Sequence, residues 1–299
     1  EYETTVSGYV EFGGGYDSNV NSATSSDSVD TVVGRIALPN NNREQSDSFA
    51  HLQTRGRISH PVSPGVNLIG EVGLRGRRYA DEDEFDTATL DGSLGALWRQ
   101  EDWRLRATLD LGRFYLDDDE YRDRVGGRLG YQLDVSQRST VGINLSVSEL
   151  DHDTQEFLDS TLWVLDAGIP RSLGGPRHPS VSVGAFVGGE RADDDGTRAQ
   201  ANAERDIYGV RAGAQLRIAP EWIFRGGVEA RASDYDEADL LFSESRDETY
   251  YALDLALDWR PTAHWRIGPQ IRVSRNDSNI DLYEYDREEI MIRARYDFF

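Results

Sequence analysis

Apolar and polar residues alternate along most of this chain, in segments separated by polar stretches. From Ile290 to Phe298 the even-numbered residues are apolar or aromatic, and the odd-numbered ones, except Met291, are charged. This period of two is that of a β-strand with one apolar and one polar face. A strand needs a neighbour along each edge, and residues 2–12 alternate in the same way. The pattern therefore predicts a sheet that closes between its first and last strands.

The chain contains about fourteen alternating segments, and the connections between them are alternately long and acidic or short. Residues 80–86 (ADEDEFD) form a long connection, and residues 99–102 (RQED) form a short one. Membrane barrels whose chain ends lie in the periplasm show this asymmetry, with long loops outside and short turns inside. We predict an all-β fold: one transmembrane antiparallel up-and-down β-barrel of about fourteen strands over residues 1–299, with long acidic extracellular loops and short periplasmic turns.

Three local predictions follow from the same pattern. Residues 13–16 are rich in glycine and are expected to lead out of the first strand into a long polar connection, residues 17–47. Within that connection, residues 30–38 have the composition of an additional strand-like piece. Residues 117–120, all acidic, are expected to form another outer loop.

Composition alone points to a soluble acidic protein, with a net charge of -22 and a mean hydropathy of -0.61. A barrel with a polar interior and an apolar exterior has the same average, so hydropathy does not exclude it. No apolar run approaches the roughly 20 residues that a membrane helix needs. The tryptophans favour the membrane barrel, because five of the six lie at strand ends next to short turns, where an aromatic girdle would meet the membrane interface. These five are Trp98, Trp103, Trp222, Trp259 and Trp265.

If the apolar residues face lipid, the alternate residues face the lumen, and many of them are charged. The predicted luminal residues are Arg55, Arg57, Arg75, Arg104, Arg106, Arg128, Arg211, Arg225, Arg231, Arg272, Glu71, Asp110, Glu229 and Asp254. They could form a basic path that attracts anions or an extended polar chain. They could instead form cross-strand arginine–carboxylate ladders that fill and stiffen the lumen, which any barrel interior needs. The sequence leaves both interpretations open.

Residues with catalytic or metal-binding chemistry form no convincing set. The chain has no cysteine, and its five histidines are scattered without metal-ligand spacing. His152, with Ser146, Ser148 and Asp151 nearby, is the nearest approach to a hydrolase triad, but nothing positions a nucleophile there. We expect no enzyme activity, no cofactor and no metal site. The acidic excess disfavours nucleic acid as a partner. The aspartate clusters of the loops are either solvated surface or ligands for divalent cations. We expect a monomer in contact with outer-membrane lipid.

Two short segments carry a family resemblance. GYDSNVNSA (residues 15–23) follows the first strand, and SNIDLYEYDR (residues 278–287) precedes the last. Both resemble the C-terminal barrel domain of the surface lipoprotein assembly modulator family. The matching residues are Asp17, Ser18, Asn19, Asn21, Ser278, Asn279, Tyr283, Tyr285, Asp286 and Arg287. The resemblance implies a fourteen-stranded barrel behind a periplasmic helical repeat domain, which would precede residue 1.

The resemblance also implies a function, the delivery of a lipoprotein or similar polypeptide across the outer membrane of a Gram-negative bacterium to its surface. The alternative is a porin-like channel for small anions or an exported polysaccharide. The motif residues could shape their loops locally. They could instead brace a seam between the first and last strands that opens. One detail departs from typical barrels: Phe298 is in phase with the outward residues but Phe299 is not, which predicts a bulge near the end.

Overall fold

A computed structural model describes residues 3–298 and confirms the predicted fold: fourteen antiparallel strands form a closed barrel, and two short strands form a separate hairpin. The strands are β1 (Thr5–Asp17), β2 (Ser28–Thr31), β3 (Gly34–Ala37), β4 (Asp47–Ser63), β5 (Val66–Tyr79), β6 (Thr87–Arg99), β7 (Trp103–Leu116), β8 (Asp119–Ser136), β9 (Ser139–His152), β10 (Ser160–Ser172), β11 (Ser180–Ala192), β12 (Arg205–Ala219), β13 (Trp222–Ala238), β14 (Ser245–Trp259), β15 (Trp265–Ser278) and β16 (Tyr285–Phe298). Each barrel strand pairs with the next along the chain, and β1 pairs with both β4 and β16.

The connections at one end of the barrel are longer and contain all the helices of the described residues. Helix α1 (Thr197–Ala203) lies between β11 and β12. Single-turn 3-10 helices occur at Asn40–Asn42, Asp83–Phe85, Glu156–Leu158 and Asp281–Tyr283. None of the helices in residues 3–298 has the length and apolar character needed to cross a membrane. We call this end of the barrel the outer end and the opposite one the inner end.

The apolar residues point away from the lumen, as the alternation predicts. Leu94 and Leu109 are 71% and 72% exposed on the outside of the wall, and many other apolar residues of the strands are also exposed. Few hydrophobic residues of the described chain are buried, and among them Val20, Phe49 and Tyr79 form a small cluster. A sandwich of two sheets would bury the apolar set between its layers. The apolar wall is that of a barrel in lipid.

The first strand is longer than expected. Gly13, Gly14 and Gly15 do not lead out of β1 but pair with both β4 and β16, and the strand continues to Asp17. The strand can continue because these glycines allow the neighbouring backbones to approach closely. A Cβ atom on Gly13 would lie 2.7 Å from the backbone oxygen of Ile292. The first motif therefore begins inside the barrel wall.

The predicted loop at residues 117–120 is also wrong in detail. Asp119 and Glu120 belong to β8, and only Asp117 and Asp118 make the turn. Both have positive φ, 52° and 63°, as in the two-residue turns whose twist matches that of a hairpin. Aspartate tolerates this conformation better than most residues. The four consecutive acidic residues therefore form a two-residue tight turn and the first two residues of β8.

The closing ladder between β1 and β16 runs without interruption from the pair Gly8–Phe298 to the pair Asp17–Glu289. The register shows no bulge up to Phe298, which points outward with the apolar set. The predictions for Tyr2 and Phe299 lie outside the described residues. In the connection between β1 and β4, the strand-like piece expected at residues 30–38 is part of the β2–β3 hairpin.

Candidate functional site

The two motifs meet at the outer end of the seam between β1 and β16, where they contribute to a buried charge cluster. We call Asp17, Arg77, Tyr79, Arg287 and Glu289 the seam cluster. Arg287 binds both carboxylate oxygens of Asp17, with its Nε 3.0 Å from Oδ1. Arg77 Nη1 lies 3.1 Å from Asp17 Oδ2 and 2.5 Å from Glu289 Oε1, and the Tyr79 hydroxyl donates to Asp17 Oδ2 at 3.0 Å. The cluster joins β1, β5 and β16 by charge-assisted hydrogen bonds.

Asn19 links the first motif to the second through backbone groups. Its backbone N–H donates to Asp17 Oδ1 at 3.1 Å, and its Nδ2 donates to the carbonyl of Asp286 at 2.9 Å. Nδ2 and Oδ1 also hold the carbonyl and the N–H of Ala23, at 2.8 and 3.0 Å. Asp17 and Asn19 are both 0% exposed. These side chains therefore fix the path of the chain as it leaves β1.

Ser18 and Asn21 act on either side of this link. The Ser18 N–H donates to the carbonyl of Glu288 at 3.0 Å, and its Oγ accepts from the Glu288 N–H at 2.8 Å. Asn21 instead ties together the two ends of its own loop. Its Nδ2 donates to the carbonyl of Arg43 at 2.7 Å, and its Oδ1 accepts from the N–H of Gln45 at 3.3 Å. Ser18 thus extends the ladder of the seam, while Asn21 closes the loop.

The earlier part of the second motif contacts a different region, the connection between β13 and β14 together with the first residues of β14. Asn279 accepts from the N–H of Asp247 at 2.8 Å and donates to the carbonyl of Ser245 at 2.9 Å. The Tyr283 hydroxyl donates to Asp239 Oδ2 at 2.8 Å. Burial of Tyr283, assisted by this hydrogen bond, raises its pKa to about 12. The neighbouring Ser278 accepts from the N–H of Ile280 at 3.2 Å within the motif itself.

Tyr285 is the first residue of β16 and pairs with Asn276 of β15. Asn276 also donates from Nδ2 to the carbonyl of Tyr283 at 2.8 Å, so the strand start and the preceding turn are fixed together. The second motif is therefore divided in space. Tyr285, Asp286 and Arg287 belong to the seam, and the residues before them belong to the loop contact with β13–β14.

The predicted luminal residues all lie on strands and on the face opposite the apolar one. Most of the arginines face a carboxylate across the sheet, as in the stiffening ladders. Arg57 and Arg106 lie 3.5 and 3.0 Å from Glu71, Arg104 lies 2.6 Å from Asp134, Arg128 lies 3.8 Å from Asp110, Arg225 lies 2.7 Å from Asp258, Arg272 lies 3.1 Å from Asp254, and Arg211 pairs with Asp166.

Three of the predicted luminal arginines differ from this pattern. Arg231 lies over the ring of Tyr250, 4.8 Å from its centroid. Among residues 3–298, no carboxylate oxygen lies within 4.0 Å of a guanidinium nitrogen of Arg55 or Arg75. Likewise, no basic nitrogen of these residues lies within 4.0 Å of the Glu229 carboxylate. Arg55 and Arg75 line neighbouring recesses of the lumen wall. Carboxylates line the same recesses, Glu71 and Asp110 in that of Arg55 and Glu11 in that of Arg75, but within residues 3–298 none of them forms an ion pair with either arginine.

Sequence reasoning missed two further side-chain links across the seam. The buried Arg293 of β16 bridges Glu11 of β1 at 2.7 Å and Asp258 of β14 at 2.8 Å. Nearer the inner end, the guanidinium of Arg295 lies 3.5 Å from the ring centroid of Tyr9. The alternation places these side chains on the inner face, but it cannot show which of them meet. Aligning β1 with β16 in the correct register would have predicted both contacts.

The five tryptophans lie at the inner ends of their strands. Trp222 stacks on Trp259 with their ring centroids 6.5 Å apart, and Trp265 meets Tyr296 at 5.1 Å. Trp103 lies 6.2 Å from Tyr131. Trp98 and Trp103 flank the short turn between β6 and β7. These rings form two groups at the inner end of the wall, one on β6–β8 and one on β13–β16.

No group of three or more His, Cys, Asp or Glu side chains within residues 3–298 is arranged to hold a metal ion. His152 pairs with Asp159 at 3.5 Å. Its ring lies edge-on to Tyr121, with centroids 5.6 Å apart. Most of the charged groups described above are bound to one another, and they brace the wall of the barrel from its inner face.

A closed fourteen-stranded barrel with an apolar wall and a polar lumen defines the class of the protein: it is an outer-membrane β-barrel of the Gram-negative type. Residues 7–298 match the family described as surface lipoprotein assembly modifier, and the chain belongs to that family. This is the family that the two motifs resemble. Comparison with curated proteins by sequence finds no match.

Two solved structures illustrate the likeness in fold. The outer-membrane channel DcaP of Acinetobacter baumannii is 11% identical, with a TM-score of 0.54, and the match covers 99% of this chain and 97% of that one. A loop-deletion mutant of OmpT, an outer-membrane protein of Vibrio cholerae, is 9% identical, with a TM-score of 0.51 and 99% of each chain covered. At such identities the likeness concerns the fold alone.

Proposed function

We propose that the barrel translocates a lipoprotein, or a similar polypeptide, across the outer membrane and delivers it to the cell surface. The observation that carries this proposal is the family match, which spans nearly the whole barrel and includes both motifs of the seam. A polar lumen lined by paired charges is compatible with the passage of an extended polar chain. We also propose that the protein has no catalytic role and that a helical repeat domain precedes residue 1 in the full-length gene product.

The test compares a strain carrying the full-length gene with its deletion strain. Surface proteins are labelled on intact cells with a membrane-impermeant biotin reagent, and the labelled lipoproteins are identified by mass spectrometry. We expect at least one lipoprotein to lose its surface label in the deletion strain while its total amount stays the same. An unchanged set of labelled lipoproteins would refute the proposal.

The unpaired Arg55 and Arg75 favour a second candidate, a channel for small anions. Positive charge in a lumen raises the local concentration of anions. In a planar bilayer, such a channel would conduct with anion selectivity, whereas a delivery protein without its client would be nearly silent. Replacing both arginines by glutamine should shift the reversal potential towards cation selectivity. Arg113→Gln is the matched control, since Arg113 pairs with Glu120 and Asp123 near the turn between β7 and β8.

A further inference from the structure

Four aliphatic side chains point into water at the outer end of the barrel. Val32 and Val33 form the tip of the β2–β3 hairpin and are 57% and 78% exposed, and Leu240 and Leu241, between β13 and β14, are 55% and 51% exposed. Unlike the apolar residues of the strands, these four do not lie on the wall of the barrel. The N–H of Val32 donates to the carbonyl of Leu241 at 2.9 Å, so the two tips are adjacent. We call these four residues the outer aliphatic patch.

The hairpin tip has side chains that its turn does not require. Glycine, asparagine and aspartate are favoured at hairpin-turn positions with positive φ, and β-branched residues are poorly suited to those positions. Here the positive φ, 110°, is adopted by Gly34 after the valines, and the Thr31 hydroxyl donates to the Gly34 carbonyl at 2.7 Å. The valines therefore do not serve the turn.

Local contacts hold the backbone of both tips in place, which favours a binding surface. The hairpin is anchored by the buried Val29. In the other tip, Asp239 accepts from the N–H of Leu241 at 2.8 Å through its side chain and from the N–H of Ser243 at 2.7 Å through its carbonyl. Preorganised side chains lose little conformational entropy on binding. Exposed aliphatic groups on such a support are typical of interaction surfaces.

The surroundings of the patch select the charge of a partner. The seven connections at the outer end contain 21 Asp and Glu residues and three Arg residues. The six connections at the inner end contain three of each kind. The negative field is therefore confined to the outer end, where it attracts basic partners and repels acidic ones.

We propose that the outer aliphatic patch is a docking surface for a polypeptide that presents apolar side chains surrounded by lysine or arginine. Apolar contact with the patch supplies short-range binding, and the acidic connections of the outer end as a whole supply attraction at longer range. The proposal goes beyond lipoprotein delivery and does not depend on it, because it concerns a surface of the folded barrel.

The test measures binding of labelled peptides to the barrel in nanodiscs of an uncharged phospholipid. The probe is a peptide of alternating leucine and lysine, with empty nanodiscs as the blank. We expect the double variant V33S/L241S to bind this peptide about tenfold more weakly than the wild type, since apolar contact area is lost. Leu173→Ser is the matched control, because Leu173 is an exposed leucine, 49% accessible, in the connection between β10 and β11 at the inner end. It should leave binding unchanged.

Two more peptides separate the contribution of apolar contact from that of electrostatic attraction. Peptides with glutamate in place of lysine, or with serine in place of leucine, should both bind weakly to the wild type. Equal binding of the leucine–lysine peptide to wild type and V33S/L241S would overturn the proposal, and so would equal binding of the glutamate peptide. If the double variant does not fold, Val33→Thr keeps the branched shape of the side chain and should still weaken binding measurably. Unchanged binding to that variant, when it alone folds, would also refute the docking surface.

Discussion

Asp17 has no contact with solvent, and its carboxylate is surrounded by the guanidinium groups of Arg77 and Arg287 and the hydroxyl of Tyr79. Asp17→Asn preserves the shape of the side chain but removes its charge. Two arginines then remain at the site with Glu289 as their carboxylate. Removing one partner of a buried ion pair costs about 3–5 kcal/mol of unfolding free energy. We expect a loss of that order in urea titrations of the barrel in detergent micelles, followed by tryptophan fluorescence.

Asp118→Asn is the control for this prediction. Asp118 also pairs with an arginine, Arg78, but in an exposed turn, where the hydrogen bond from Arg78 lowers the pKa of Asp118. Solvent screens exposed pairs, and asparagine tolerates the positive φ of the turn. The stability of this variant should stay close to that of the wild type. If both variants lose the same unfolding free energy, burial of the seam cluster adds no stability beyond that of an exposed ion pair.

The residues of the seam show where sequence reasoning ends. Arg77 has the same phase as Arg75, which alternation placed on the inner face, and the motif resemblance singled out Asp17 and Arg287. Neither observation could predict that these residues are in contact, because Arg77 lies 60 residues from Asp17 along the chain and Arg287 lies 270 residues from it. Contacts at such separations depend on strand order and register, which a single sequence does not specify side chain by side chain.

At the scale of the element, the glycines of β1 determine how closely the seam packs. A Cβ atom on Gly15 would clash with the carbonyl oxygen of Ile290 and lie 2.7 Å from the Cβ of Met291. Gly15→Ala therefore forces β1 and β16 apart near the seam cluster. Overpacking of this kind costs about 1–3 kcal/mol. We expect that loss in the same urea titration.

Gly56→Ala is the matched control for the glycine prediction. Gly56 lies on β4 and also pairs with β1, yet an added Cβ would meet only Val72 Cγ1, at 3.7 Å, an ordinary contact. The variant should be as stable as the wild type. Equal destabilisation by both changes would mean that loss of glycine, rather than close packing at the seam, is responsible.

The barrel strands were the most predictable elements, because a period of two persists over many residues in them. The turn at Asp117–Asp118 was not, since acidic composition does not distinguish a loop from a tight turn with positive φ. Helix α1 was also missed. It has only seven residues, and it is stabilised by burying Ala199, Ala201 and Ala203 rather than by a pattern long enough to detect.

At the scale of the whole molecule, the question is whether a client passes through the lumen or leaves through the seam. The ladder from Gly8–Phe298 to Asp17–Glu289 has no register shift, whereas the ladders of β13 with β12 and with β14 each contain one. The side chains add three links between β1 and β16: Asp17 with Arg287, Glu11 with Arg293, and Tyr9 with Arg295. Opening would break all of them together, so we expect the seam to stay closed during delivery.

A disulfide across the seam tests this expectation in a chain that has no cysteine of its own. Val10 pairs with Tyr296 of β16 on one side and with Thr54 of β4 on the other, so V10C/Y296C locks the seam and V10C/T54C locks an ordinary ladder. Neighbouring strands bring the Cα atoms of such pairs within disulfide range. With the disulfide formed in either variant, we expect the surface labelling of lipoproteins to match that of the wild type. If only V10C/Y296C blocks labelling and reduction restores it, the seam opens, and the two motifs then brace a gate in the wall.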